Sequence, residues 1–405
     1  MTTLAKPPRL EVFLIVLLDV MGFGLIIPAQ PFLAKHFGAT ASTVTLLGTT
    51  YALMQFLFAP LWGSLSDRVG RKPVLITTIF LTLLGHTAFG FASSLAMLFG
   101  ARALAGLGAA NISTAQAVLS DTHAPSERAR AMALIGAAFG VGFVIGPGLG
   151  GVLFRADPSA PAFFAAVLAA INLAFVLTRV PETRFLQSTS ARKSGSLLTF
   201  LKLDRQLKVL VLTTFLTMTA FALMEQTVGL FIESLWVTGE GLDRMRQATK
   251  LTSIFLVVVG VTAVLVQGYL VRKWLKTRSE ASVFKGGLIT LAISLALIPL
   301  LGFSGSYPLF LVSAALLALG SGMFNPAMAA LVSLACPADK QGTGLALNQS
   351  GQALGRIVGP TLAGTLFAWG SSLPFLAGAA LTLLALAFSS AVLTRPRPET
   401  MKHPS

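Results

Sequence analysis

Long apolar runs, each of roughly twenty residues or more, alternate along the chain with short polar stretches. A helix rises about 1.5 Å per residue, so roughly 20 such residues cross the hydrocarbon core of a bilayer. The runs show none of the period-two alternation of a lipid-facing strand, which points to helices rather than a barrel. The pattern predicts twelve spans, at residues 11–34, 44–65, 73–92, 95–119, 129–153, 161–180, 207–235, 250–270, 283–302, 307–335, 342–368 and 373–394. The expected fold is an all-α integral membrane protein whose twelve transmembrane helices form two pseudo-symmetric six-helix bundles.

The polar stretches carry most of the bases, and short cytoplasmic loops of membrane proteins are enriched in Lys and Arg. With the N-terminus in the cytoplasm, Lys6, Arg9, Arg68, Arg71, Lys72, Arg128, Arg130, the bases from Arg179 to Lys208 and from Arg272 to Lys285, Lys340, Arg395, Arg397 and Lys402 all lie inside. Only Lys35, Arg155, Arg244, Arg246 and Lys250 lie outside. An even number of spans with both termini cytoplasmic follows, in a cell (inner) membrane that the chain crosses many times. The stretch 181–206, rich in Ser, Thr and bases, is expected to be a cytoplasmic linker between an N-terminal bundle at 1–180 and a C-terminal bundle at 207–405. A repeat supports that division. Gly108, Pro125, Glu127 and Arg128 recur 212 positions later as Gly320, Pro337, Asp339 and Lys340, and the run from Gly146 to Gly151 returns 213 positions later as Gly359 to Gly364.

Composition narrows the classes further. The chain is 54% hydrophobic and 11% charged, against roughly 25% charged for a soluble domain. The formal charge of +15 is scattered over short loops without interleaved aromatics, so nucleic acid is not an expected partner. The single Cys336 cannot form an internal disulfide. Only Lys6 and Arg9 precede the first apolar run, and no small-residue cleavage site follows it, so the first span is read as retained. No metal cluster, nucleophile triad or phosphate loop of the Gly-x-x-x-x-Gly-Lys-Ser/Thr type occurs; neither an enzyme nor a cofactor is expected.

The charges inside the spans carry the chemistry. Asp19, Arg102, Glu225 and Arg356 fall within spans 1, 4, 7 and 11, where each costs about 2.5–3.5 kcal/mol on insertion scales. Two acids and two bases can offset one another as structural ion pairs, or an acid can exchange a proton for cargo. Asp19 shares a helical stripe with Ile26 and Gln30, and Glu225 is its counterpart in the second half. Phe23, Gln30, Gln55, His86, Asn111, Gln116, Gln226, Asn325, Gln349 and Arg356 are candidate cargo contacts. The amides alternatively make interhelical hydrogen bonds of about 0.6 kcal/mol each. Gly142, Gly146, Pro147, Gly150 and Gly151 form a small-residue seam with a proline, a packing surface or a hinge. The charged hairpin from Gly63 to Lys72 is a candidate gate. Asp67 can accept hydrogen bonds from N–H groups at the start of a neighbouring helix. Arg71 can pair with Asp121, Arg68 adds a base, and Gly63 and Gly70 allow close approach and turning. Surface pairs worth about 0–1 kcal/mol suit a latch that opens each cycle.

Four ordered motifs carry a family resemblance: Leu18-Asp19 through Pro28 and on to Pro31; Tyr51 to Gln55 and Ala59-Pro60 leading into the hairpin; Arg102 with Gly106 and Gly108; and Gly142 with Gly146 to Gly151. By these the chain resembles the drug:proton antiporter group of the major facilitator superfamily, which includes the tetracycline efflux proteins. The motifs cover nearly all of the N-terminal half, and the C-terminal half matches weakly. The resemblance implies that Asp67 faces the start of the eleventh span, and that Arg102 is a cavity-facing base tuning a proton site. It also implies that His86 stands where the family has an acid tied to tetracycline binding, while Arg356 departs from the tetracycline exporters. The expected function is proton-coupled efflux of small amphipathic compounds by alternating access, by a monomer whose partners are protons, the cargo and the lipid bilayer. A lipid or lysolipid flippase, or a proton-coupled sugar or metabolite symporter on the same fold, is the alternative.

Overall fold

The computed structural model describes residues 9–109, 111–122, 125–183, 204–336 and 341–393. Among them the chain is helical throughout: α1 (Arg9–Ile26), α2 (Gln30–His36), α3 (Ala41–Val69), α4 (Arg71–Gly90), α5 (Leu95–Gly108), α6 (Asn111–Thr122), α7 (Pro125–Ala156) and α8 (Ala160–Arg179). There follow α9 (Arg205–Trp236), α10 (Gly241–Leu265), a π-turn (Val266–Leu270) leading into α11 (Val271–Thr277), α12 (Glu280–Gly302), α13 (Tyr307–Leu334), α14 (Gln341–Trp369) and α15 (Leu373–Leu393). Local chemistry sets several starts. The side chains of Thr40, Ser94, Ser279 and Ser306 accept hydrogen bonds from backbone N–H groups of α3, α5, α12 and α13, which satisfies donors that a helix leaves open.

Nine helices among the described residues are long and apolar enough to cross a bilayer, or ten if the bent pair α1 and α2 is one span. The first expected span is two helices meeting at 41°, because Pro28 and Pro31 remove donors from the ladder between them. The fourth expected span is likewise split, into α5 and α6. In α14, a 29-residue helix, Asn348, Gln349, Gln352 and Arg356 make the first half more polar than the nine apolar spans. The expected span at 250–270 starts earlier, at Gly241, since polar residues beyond the apolar run stay helical. The calls on Lys6, the linker interior at 184–203, Pro337, Asp339, Lys340, Arg395, Arg397 and Lys402 lie outside the described residues, as do the side chains of Pro125, Glu127, Arg128, Arg130 and Arg272.

Helices α1 to α8 pack chiefly among themselves: α1 against α7 and α8, α4 against α5 and α8, α3 against α5. In the second set α9 packs on α14 and α15, and α12 on α13 and α15. Two large contacts cross between the sets, α7 on α10 and α3 on α14, and lighter ones join α3 to α9 and α2 to α10. One face of the protein carries the Val69–Arg71 turn and residues 180–183, and is called here the linker face. The far face carries the loops at 37–40, 157–159, 237–240, 303–306 and 370–372. Near the far face α3 and α14 touch through their backbones: a Cβ on Gly364 would strike Ser42 and Thr45, and Thr49 hydrogen-bonds Thr361 at 3.2 Å. At the linker end of α3, a Cβ on Gly63 would meet nothing within 4 Å.

Candidate functional site

Arg102 on α5 is 3% exposed, and its guanidinium carbon stands 5.1 Å from the Phe89 ring centre, 5.8 Å from Tyr51 and 6.0 Å from Phe23. Ring faces attract a cation, so the aromatic box offsets part of the cost of the buried charge. Arg102 Nε has no hydrogen-bond partner among the described residues. Glycines bring the helices this close. A Cβ on Gly106 would lie 2.5 Å from the Tyr51 carbonyl oxygen, and one on Gly108 would strike Thr78 and Thr82.

Around this box the structure gathers residues from five helices of the first set. Asp19 on α1 has Asn111, the first residue of α6, as its polar neighbour. The Asn111 side chain is buried, and neither its nitrogen nor its oxygen completes a hydrogen bond within the described residues. Gln55 Nε2 donates to the Ala109 carbonyl oxygen at 3.1 Å, fixing the break between α5 and α6. His86 on α4 is 3% exposed and packs against Gly22, one turn from Asp19. Phe23 meets Tyr51 at 5.0 Å and Phe143 at 6.3 Å between ring centres.

The second set supplies the opposite wall. Glu225 on α9 and Arg356 on α14 lie within electrostatic reach of each other. Tyr51 is within such reach of Asp19, Arg102 and Arg356, and so spans the interface. Gln226 also crosses it, its side chain occupying the space above Gly48 of α3. Tyr51 was not among the predicted contacts. Its signal was available, since it lies one helical turn before Gln55 on the same apolar run. Gln30, buried at the start of α2, Gln116, half-buried on α6, Asn325, exposed on α13, and Gln349, exposed on α14, share no hydrogen bond with the cluster among the described residues. Gln349 stands two turns from Arg356 on the same stripe.

A second cluster sits at the linker face. Arg71 Nε donates to Asp121 Oδ2 at 2.9 Å, and Arg71 Nη1 lies 2.5 Å from Asp67 Oδ1 and donates to Ser66 Oγ at 2.7 Å. The Asp121 side chain is 4% exposed and that of Asp67 57%. Arg68 projects outward. The described partner of Asp67 is Arg71 of its own hairpin, and residues 337–340, which lead into α14 where the resemblance puts its neighbour, lie outside the described residues. Glu182, just past α8, was missed. Its two carboxylate oxygens accept the backbone N–H groups of Arg71 (2.9 Å) and Lys72 (3.1 Å), capping α4 from 110 residues away. Gly70 takes φ +114° at the turn, and a Cβ there would strike the Glu182 carboxylate.

The small-residue seam of α7 resolves into two faces. Gly142, Gly146 and Gly150 pack on Val20, Gly24 and Leu25 of α1, with Pro147 against Gly24. Gly148 and Gly151 pack across the interface on Val257 and Ser253 of α10. The second half repeats the device: Gly355 and Gly359 pack on α9, while Gly364 crosses to α3. Gly151 and Gly364 are 213 positions apart, the spacing of the sequence repeat.

A bundle of membrane-spanning helices with ionisable groups facing one another at an internal seam is the arrangement of a membrane transporter. The sequence profile of the Major Facilitator Superfamily matches residues 12–301 and 251–405, and the chain belongs to that superfamily. It is 31% identical over 384 residues to the tetracycline resistance protein, class C, of Escherichia coli, covering 92% of this chain and 93% of the relative. It is 27% identical over 359 residues to the quinolone resistance protein NorA of Staphylococcus aureus, covering 87% and 88%. Among solved structures, the human organic anion transporter MFSD10 (TETRAN) aligns over 95% of this chain and 100% of its own with a TM-score of 0.71 and 24% identity. A peptide transporter of the POT type aligns over 97% and 96% with a TM-score of 0.75 and 14% identity, a likeness of fold.

Proposed function

We propose that the protein is a proton-coupled exporter of small amphipathic compounds that works by alternating access. Two six-helix bundles, 1–180 and 207–405, move about the seam, with α5 plus α6 and α14 completing twelve spans and the linker face turned to the cytoplasm. The observation that carries the reading is the polar cluster at the seam. Asp19, Arg102 and Asn111 on one side face Glu225 and Arg356 on the other, in a setting that is otherwise apolar and aromatic. Such groups are costly at membrane depth and mark ion or substrate pathways. Drug export fits the resistance proteins among its relatives. Asp19 and Glu225 are the proton-exchanging acids of this scheme, Arg102 positions charge beside Asp19, and the aromatic rings take the apolar part of the cargo. The hairpin from Gly63 to Lys72 gates the cytoplasmic side. The exposure of the Asp67 side chain, 57%, and the open space around Gly63 support a hairpin that is free to move.

The test is efflux of a fluorescent drug in inverted vesicles under an imposed pH gradient, with Asp19→Asn and Glu225→Gln. Gradient-driven transport is expected to be lost in at least one variant. Full transport in both would remove the two acids as coupling groups.

A further inference from the structure

The short helix α2 packs into the first set through Ala34, Leu33 and Phe37, but two of its residues, Phe32 and Lys35, are held by the second. Phe32 is 2% exposed and is clustered with Val237 and Ala248, flanked by Met245 and Leu251, all from the end of α9 and the start of α10. Its ring also reaches Gly229, whose added Cβ would lie 3.6 Å from it. One turn further on, Lys35 Nζ donates to Glu233 Oε2 at 2.6 Å. The Glu233 side chain is 7% exposed, and its other oxygen accepts from Arg244 Nε at 2.9 Å. Arg244 in turn donates to the Val237 carbonyl oxygen.

We propose that α2 is a releasable strap that closes the far face. The inference rests on the alternating-access reading above. Its parts divide into permanent and separable ones. Glu233 and Arg244 both belong to the second set and remain together when the sets part. Lys35 is the partner that leaves, with its side chain already 41% exposed. A buried carboxylate that lost its only base would be strongly unfavourable. Arg244 removes that penalty, so the strap can detach without stranding a charge. The 41° bend at Pro28 gives α2 a direction of its own, across the interface and away from the axis of α1. The apolar contact of Phe32 supplies the hold, and the ion pair sets where along α9 the strap docks.

The test uses the full chain in nanodiscs, in a Cys336→Ser background with Thr45→Cys as reporter. Thr45 is 0% exposed and is covered by Gly364 where α3 meets α14 near the far face. Its reaction with a soluble maleimide reads opening of that face without reference to cargo or protons. Lys35→Ala and Phe32→Ala are each expected to speed labelling by about fivefold, the factor corresponding to about 1 kcal/mol. Labelling at the parent rate in both variants would overturn the strap, whatever the efflux assay gives. In a second arm, the Lys35→Cys, Glu233→Cys, Thr45→Cys protein in the Cys336→Ser background is joined between positions 35 and 233 by a short reducible thiol cross-linker before the maleimide is added. Labelling at position 45, read on its own peptide, is expected to fall below the parent rate and to recover on reduction. Unchanged labelling after joining would mean that α2 travels with the second set throughout, which is incompatible with the proposal.

Discussion

Replacing Glu182 by Ala tests how the hairpin at the linker face is held. The change removes both acceptors that cap α4, at 2.9 Å from Arg71 N and 3.1 Å from Lys72 N. A side-chain cap contributes about 0.5–2 kcal/mol, and a negative charge at a helix N-terminus adds about 0.3–1 kcal/mol. The expected loss is therefore about 1–3 kcal/mol, with Glu182→Gln costing less because one acceptor remains. Gly70→Ala forces a side chain into backbone at φ +114° and ψ 160°, which costs about 1–3 kcal/mol, and drives the new Cβ into the Glu182 carboxylate. Removing that carboxylate relieves the clash. The double variant Gly70→Ala, Glu182→Ala is thus expected to cost less than the sum of the singles, by about 0.5–3 kcal/mol as for other residues in contact. Urea unfolding of purified protein, followed by tryptophan fluorescence, measures all four. Additive costs, or a Glu182→Ala variant with the parent midpoint, would refute the cap.

Arg71→Ala is expected to destabilise by about 3–5 kcal/mol, because it strands Asp121, whose side chain is 4% exposed. Asp67→Ala should cost only about 0–1 kcal/mol, since Asp67 is 57% exposed; equal losses in the same unfolding assay would contradict the assignment. Arg102→Lys keeps the charge but gives up a planar cation lying near three rings, contacts worth about 0.5–2 kcal/mol each. Gradient-driven efflux should fall and the unfolding midpoint should drop with it, and efflux at the parent rate would show that the box has no part in transport.

Much of the candidate site was legible in the sequence. Charged residues inside apolar runs stand out because the bilayer penalises them, so Asp19, Arg102, Glu225 and Arg356 needed no structure to be noticed. The pairing of Arg71 with Asp121 follows from two turns on one side of the membrane. What stayed hidden was every contact between residues far apart in the chain whose side chains are chemically ordinary. Tyr51 reads as one more apolar position until Arg102, Asp19 and Arg356 are placed around it. Glu182 reads as part of a polar linker until the start of α4 is brought against it. The seam of α7 read as one surface, and only packing separated the face on α1 from the face on α10.

The sequence by itself determined that the chain spans a membrane as helices, where it turns, and which residues carry charge into the apolar layer, because these depend on the local match between side chains and solvent. The tertiary structure alone decided which helices cross from one set to the other, where α1 bends, and how Lys35, Glu233 and Arg244 share one buried carboxylate. Those outcomes depend on backbone approach between distant segments, which glycines such as Gly151 and Gly364 permit but do not aim.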